Sequence, residues 1–318
     1  MEENVPRIDL PITGICSFAK YPICTDLKKL SGDFAVIGIP YDLGVGYLSG
    51  TRLGPRRIRE SSAQYARGDR GFYDPERNKT YLASPCHVVD CGDVDILTGD
   101  LTKCFDNIET SVKQILLKGI IPVSIGGDHS VTIPIGRALS VLNKQIDVVQ
   151  LDAHLDWTSS VGGVQKLGNG SVMRRLSEMG YFSNFTQIGL RGLGSSRAED
   201  FEDAHAFGSN LITAKQALSI GVEGVLDQIP TSDCCYVTID IDSFDIPYAP
   251  GTGSPVPGGL DYSYITNLLE GIAEKCNVIG FDLVEVAPQY DPAGITPRIA
   301  ALTILSFIGF IYEKMQNR

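Results

Sequence analysis

Ile146-Asp147-Val148-Val149-Gln150-Leu151 runs without a break into Asp152-Ala153-His154-Leu155-Asp156. The first half is short, mostly apolar and rich in β-branched residues, the pattern of a strand buried in a parallel sheet. The second half is polar and has no turn glycine. Six further runs read as strands: Phe34–Pro40, His87–Val94, Ile120–Ile125, Phe185–Leu190, Cys234–Ile241 and Val278–Val286. Longer amphipathic stretches lie between them. Leu101–Lys118 places Leu101, Phe105, Ile108, Val112 and Leu116 at helical spacing, and Ser263–Lys275 does the same with Ile265, Leu268, Leu269 and Ile272. Strands alternating with helices imply an α/β fold with a mainly parallel sheet covered on both faces. In such sheets ligands bind beyond the carboxyl ends of the strands.

Three polar clusters fall at predicted strand ends. If the chain stays extended past Leu151, Asp152, His154 and Asp156 point to one side. Asp240 and Asp242 share a face in the same way after Cys234–Ile239. Gly126-Gly127-Asp128-His129-Ser130 follows Ile120–Ile125, with glycines that permit a sharp turn before His129. Acids and imidazoles at the ends of apolar strands are costly to bury unless something binds them. This donor set suits Mn, Zn, Ni or Fe. Four aspartates (Asp152, Asp156, Asp240 and Asp242) with His129 and His154 would leave a single divalent ion in a strongly negative site. Two ions neutralise the four carboxylates and could share one water acidified toward neutrality. No nucleophile-elbow G-x-S-x-G and no phosphate-binding GxxxxGK[ST] occurs.

The rest of the sequence sets bounds. The 318 residues show no linker, repeat or low-complexity stretch, so a single catalytic domain over 1–318 is expected, with 1–33 as an N-terminal extension. The net charge of -11 argues against a nucleic-acid partner. The start, Met1 to Pro6, lacks a basic segment followed by an apolar one. The longest apolar run, Ile299–Tyr312, falls short of the ~20 residues of a membrane span and reads as a buried helix. Eight scattered cysteines without a CxxC pair read as reduced thiols. A cytoplasmic protein without membrane contact is expected.

Taken together, GTRLGP (50–55), GGDHS (126–130), DAHLD (152–156), DIDSFD (240–245), GTGSP (251–255) and FDLVEV (281–286) resemble the ureohydrolases, the family of arginase, agmatinase and guanidinobutyrase, and their agmatinase-like branch in particular. The resemblance implies an arginase-like three-layer α/β/α sandwich around eight strands, one more than the seven read above. It implies two divalent metal ions per chain, Mn or Ni. His129, Asp152, Asp156 and Asp240 would hold one. Asp152, His154, Asp240 and Asp242 would hold the other, with Asp152 and Asp240 bridging. Asp128 would orient His129, and Glu285 would face a small cationic guanidino substrate. A metal-bridging hydroxide would attack the guanidinium carbon, and a C–N bond would break with loss of an amine.

One position departs from the family pattern. Where arginase and agmatinase carry a histidine after the DAHxD motif, this chain has Asn169, which cannot titrate near neutrality. Asp156 or a metal-bound water would then protonate the leaving amine, or the substrate differs: guanidine, a substituted guanidine, or a biguanide such as metformin. A non-catalytic or scaffold subunit is the alternative of another class, and a single-zinc deacetylase-like relative a third. Loops Tyr41–Arg52, Trp157–Met173 and Arg191–Arg197 are the candidates for substrate specificity. Trp157 either borders the pocket or packs in the core. Arg52 and Arg59 are candidates for surface or subunit contacts. The family habit implies a homo-oligomer, trimer or hexamer, or a hetero-oligomer with a paralogous chain.

Overall fold

The computed structural model describes residues 11–66, 68–161, 163–194 and 196–317. Eight strands form one sheet: β1 (Phe34–Gly38), β4 (Val88–Asp93), β5 (Ile121–Ile125), β6 (Ile146–Leu151), β7 (Phe182–Leu190), β8 (Asn210–Thr213), β9 (Cys235–Asp240) and β10 (Val278–Val284). A separate antiparallel hairpin is made of β2 (Arg70–Asp74) and β3 (Lys79–Ala83). The sheet order is β4-β1-β5-β10-β9-β6-β7-β8, and every pairing is parallel. Seven strands match the runs read from sequence. The eighth, β8, is a four-residue edge strand, too short and too mixed for alternation to reveal.

Eight helices complete the three layers: α1 (Gly54–Ser62), α2 (Leu101–Leu116), α3 (Thr132–Leu139), α4 (Val172–Ser177), α5 (Ala198–Phe207), α6 (Ala214–Leu226), α7 (Tyr262–Lys275) and α8 (Ile295–Gln316). One core layer packs α1, α6, α7 and α8 on the sheet through residues such as Ile58, Val225, Leu268 and Phe307. The other packs α2 to α5 through Phe105, Ile135, Met173 and Ala204. Helix α2 shows why these elements form. Asp100 caps its start by accepting the Lys103 N–H at 2.9 Å, and Phe105, Ile108, Val112 and Ile115 bury one stripe. The apolar run Ile299–Tyr312 lies inside α8, which is longer than the run at 22 residues. Its length and composition would suit a membrane span, but two-thirds of its apolar window is buried in the protein.

The sheet order is what assembles a site. Strands β5, β10, β9 and β6 are the four central neighbours, although they are far apart in sequence. Ile125, Leu283, Ile239 and Leu151 stand level across them. The residues that follow, which carry the three polar clusters and Glu285, therefore emerge side by side at the carboxyl edge.

Candidate metal centre

The acids and imidazoles converge as the sequence predicts, but by turns and not by extended chain. Strand β6 stops at Leu151, and Asp156 takes a left-handed φ of 53°. Strand β9 stops at Asp240, whose Oδ1 accepts the Asp242 N–H at 2.8 Å and caps a 3-10 turn, Ile241–Ser243. Glu285 directly follows β10 with φ 64°. Left-handed backbone strains a non-glycine residue, and strain of this kind gathers at functional sites. Both strained acids line one cavity of about 150 Å³, together with His129, His154, Asn169, Gly170, Asp240, Asp242 and Ser254.

His129 Nδ1 lies 2.9 Å from Asp156, 3.1 Å from Asp152 and 3.5 Å from Asp240. His154 Nδ1 lies 2.9 Å from Asp242 and 3.4 Å from Asp152. Asp152 faces the first imidazole with Oδ2 and the second with Oδ1. The ligand atoms fall into two groups sharing Asp152: His129, Asp152 and Asp240, and Asp152, His154 and Asp242. Asp240 stands in the first group only, and Asp156 adjoins it through His129.

The tautomer of His129 tests whether a cation fits. Its Nε2 is 2.9 Å from Thr238 Oγ1, and that hydroxyl donates to Asp282 Oδ1 at 2.6 Å. Thr238 has spent its only proton, so it accepts from Nε2–H. In the neutral ring Nδ1 is then the bare lone pair, buried amid three carboxylates without a well-formed hydrogen bond, a place that calls for a proton or a metal ion. This is the arrangement of a metal-binding imidazole, whose second nitrogen is held by a hydrogen bond. Asp282 in turn accepts from Tyr236 and Thr132, each at 2.7 Å.

Asp128 does not play the orienting role expected of it. Its Oδ2 accepts the Gly44 N–H at 2.7 Å, and its Oδ1 accepts the Ser130 N–H at 2.9 Å and the Ser130 hydroxyl. Thr238, backed by Asp282, holds His129 instead. These two belong to a polar row across the sheet, Gln187, Gln150, Thr238, Asp282 and Ser124 in register, directly beneath the site. Gln150 donates to Asp152 at 2.7 Å. The sequence signal was available, because each is a polar residue interrupting an apolar strand.

Electrostatics follow from burial. Burial pushes Asp156 up to about 6, with Asp152 adding to the rise, and burial beside Asp128 pushes Glu285 up to about 8. Burial, Asp242 and Asp152 drive Asp240 well above the carboxylate range. Burial disfavours a charged His154, but Asp242 and Asp152 outweigh it and raise the ring to about 12. His129 is raised in the same sense, chiefly by Asp156 against its own burial. Asp152, by contrast, is held below the usual range, by His129 and His154 against its burial. Three acids that resist ionising beside imidazoles that hold protons mark a cluster short of positive charge.

Other expected positions resolve as well. Trp157 is core, packed on Phe185 and Phe207 at 5.9 and 5.6 Å. Arg59 is buried, and Arg52 pairs with the buried Asp42. Arg191 turns its guanidinium onto the carbonyls of Asp242, Phe244 and Val256, bracing the second acid cluster. Ser254, which sequence reasoning did not single out, lines the cavity.

The Arginase family profile matches residues 32–309. The chain belongs to the arginase family. It is 33% identical to human mitochondrial guanidino acid hydrolase over 293 residues, covering 91% of this chain and 80% of that protein. It is 33% identical to guanidinobutyrase of Pseudomonas aeruginosa over 297 residues, covering 91% and 89%. The solved structure of proclavaminate amidino hydrolase from Streptomyces clavuligerus superposes with TM-score 0.79 at 29% identity, covering 96% and 99%. Membership makes this arginase-family chain a hydrolase of C–N bonds, with candidate His and Asp metal ligands at the expected strand ends.

Proposed function

We propose that this arginase-family chain hydrolyses a C–N bond of a small guanidino compound at a binuclear centre. The observation that carries the reading is Asp152, which turns one oxygen to each of two imidazole–carboxylate groups. His129, Asp152, Asp156 and Asp240 would hold one divalent ion, and Asp152, His154, Asp240 and Asp242 the other, Mn or Ni. Such a pair, when bound, supplies a water acidified toward neutral pH and a centre that stabilises developing negative charge.

The chain's own residues then bind and orient. No lysine or arginine lines the cavity among the described residues, so a cation is the ligand its walls accept. Glu285 can take paired N–H bonds from a planar guanidinium. Asn169 donates to Glu285 Oε1 at 3.2 Å, and the His129 backbone N–H donates to the same oxygen at 2.9 Å, which fixes the carboxylate. The attacking oxygen ends as the carbonyl of urea, the C–N bond breaks, and the leaving nitrogen takes a proton. Asn169 cannot supply it. The Asp156 carboxylate on the cavity wall is the chain's own carrier.

A second reading, guanidine or a small substituted guanidine, is favoured by the cavity volume of about 150 Å³. Pockets for larger ligands run to about 300–1,000 Å³. Urea release from agmatine, 4-guanidinobutyrate, guanidine and dimethylguanidine, and guanylurea release from metformin, measured beside metal content, test both readings. Two ions per chain and urea, or guanylurea, from one of these compounds are expected. One zinc per chain, or no turnover by metal-loaded protein, would overturn the proposal. Agmatine turning over best would remove the second reading.

A further inference from the structure

We propose that Asp128 is a positioning residue for Glu285, acting through Gly44 and Asn169, and that it sets the affinity of the pocket for a guanidinium group. The inference rests on the function proposed above and deepens it. Asp128 is fully buried, one residue before a candidate metal ligand, yet its carboxylate turns away from that imidazole. It reaches across 84 residues of sequence to the loop that follows β1, taking the Gly44 N–H at 2.7 Å. The Gly44 carbonyl in turn accepts the Asn169 N–H at 3.3 Å. The Asn169 side-chain amide has one orientation, because Oδ1 accepts the Gly170 N–H at 3.1 Å. Nδ2 is thereby aimed at Glu285 Oε1, 3.2 Å away. An unbroken relay thus runs from Asp128 to the carboxylate that would grip substrate.

Two further contacts tie the relay to the sheet. The Asp128 N–H donates to the Tyr41 carbonyl, and the Glu285 N–H donates to the Gly127 carbonyl, each at 2.8 Å. The loops after β1 and β5 therefore meet at the Asp128 carboxylate, and the loop after β6 joins them through Gly44. Gly44 has no room for a side chain, since a Cβ there would sit 2.5 Å from Ser130 Oγ and 2.9 Å from Asp128 Oδ1. Hydrogen bonds from N–H groups to a buried carboxylate are among the strong ones, so this junction is stiff. Stiffness counts here, because among the described residues the Glu285 carboxylate accepts two hydrogen bonds, both on Oε1, and one of them comes from Asn169.

The test is a double-mutant cycle on metal-loaded full-length protein, with Asp128→Asn, Asn169→Ala and the pair. It reads kcat, KM for the best guanidino substrate, calorimetric binding of guanidinium ion at millimolar concentration, and metal content. Each single variant should weaken KM and guanidinium binding about tenfold, the cost of one hydrogen bond to a charged group, with kcat and metal content little changed. The pair should be no weaker than Asn169→Ala alone, because both changes break one relay. Gly44→Ala, which displaces the loop while leaving Asp128 intact, should reproduce the Asp128→Asn result and carries the test if that variant fails to fold. Loss of metal or of kcat with KM unchanged in Asp128→Asn would overturn the inference, and so would penalties that multiply in the pair. Wild-type protein that loads metal yet neither releases urea nor binds guanidinium would overturn the proposed function itself, and this inference with it.

Discussion

Around Arg59, two carboxylates close on one guanidinium. At the carboxyl edge of the central strands, five carboxylates close on two imidazoles. Asp90 grips Arg59 with both oxygens, at 2.8 and 3.0 Å, and Asp93 adds a third contact at 2.5 Å. Asp90 also accepts the Phe18 N–H at 2.6 Å, which pins the N-terminal segment to the sheet. That cluster brings its own cation. In and just beneath the pocket, Asp156, Asp240, Asp242, Glu285 and the buried Asp152 have His129 and His154 as their basic neighbours among the described residues. Five acids against two imidazoles cannot all ionise without a further cation, and burial with mutual repulsion raises Asp240 and Glu285 accordingly. A buried charge cluster that closes on itself holds the fold together. One that does not close is waiting for a cation, which the proposed metal ions and guanidinium would supply.

The largest effect should follow from removing the shared acid. Asp152→Ala takes away the one carboxylate that faces both imidazoles, and urea release should fall by about 10³-fold or more with loss of bound metal. Metal-free Asp240→Asn, by contrast, should melt no lower than metal-free wild type, because burial, Asp242 and Asp152 already make that carboxylate resist ionising. A clear loss of apo stability would mean that the pocket closes on itself after all. The Arg59 cluster should behave in the opposite way. Arg59→Met strands two carboxylates, one of them fully buried, and should cost about 3–5 kcal/mol in urea unfolding, the range for breaking a buried pair. Turnover per folded molecule should stay the same.

The contrast can also be read from pH. Glu285 is raised from 4.5 to about 8, and His154 from 6.5 to about 12. Both folded-state values lie above the unfolded ones, so the folded protein binds more protons than the unfolded chain throughout this interval. Stability then falls as pH rises. The melting temperature of metal-free protein should therefore drop between about pH 5 and pH 8. Added Mn or Ni should reverse the slope, because metal ions bind the deprotonated ligands. A melting temperature that rises with pH in metal-free protein would contradict the charge count.

How far the sequence could be read follows the same physics. The strands under the pocket were legible because burial on both faces demands apolar runs, and the acids at their ends stood out against those runs. β8 was not legible, since Asn210–Thr213 is short and half-exposed at the sheet edge. Nor was the hairpin β2–β3, where Arg70, Asp74 and Lys79 mix with aromatic residues. Strand order was beyond local pattern, because crossovers set it, and the order alone brings Glu285 beside His129. Asp128 was misread for a related reason. Its partner is a backbone N–H at Gly44, which no side-chain pattern announces. Thr238 and Asp282 were readable in principle, as polar residues inside buried strands.

The smallest effect, Asn169→His, bears on what kind of pocket this is. Asn169 uses its amide to hold Glu285 and its own turn, with no titrating group. A histidine there could still donate to Glu285, so KM should change little. If Asp156 already serves the leaving amine, kcat should stay within about tenfold, short of the 10²–10⁴-fold that a missing general acid would restore. The pH–rate profile should still gain an ionisation near the ordinary imidazole range of about 6.5. A rise of about 10²-fold in kcat would show that the native pocket lacks a proton donor. It would then bind cations as the charge contrast requires while releasing products slowly, and the distinction from the Arg59 cluster would be one of binding more than of catalysis.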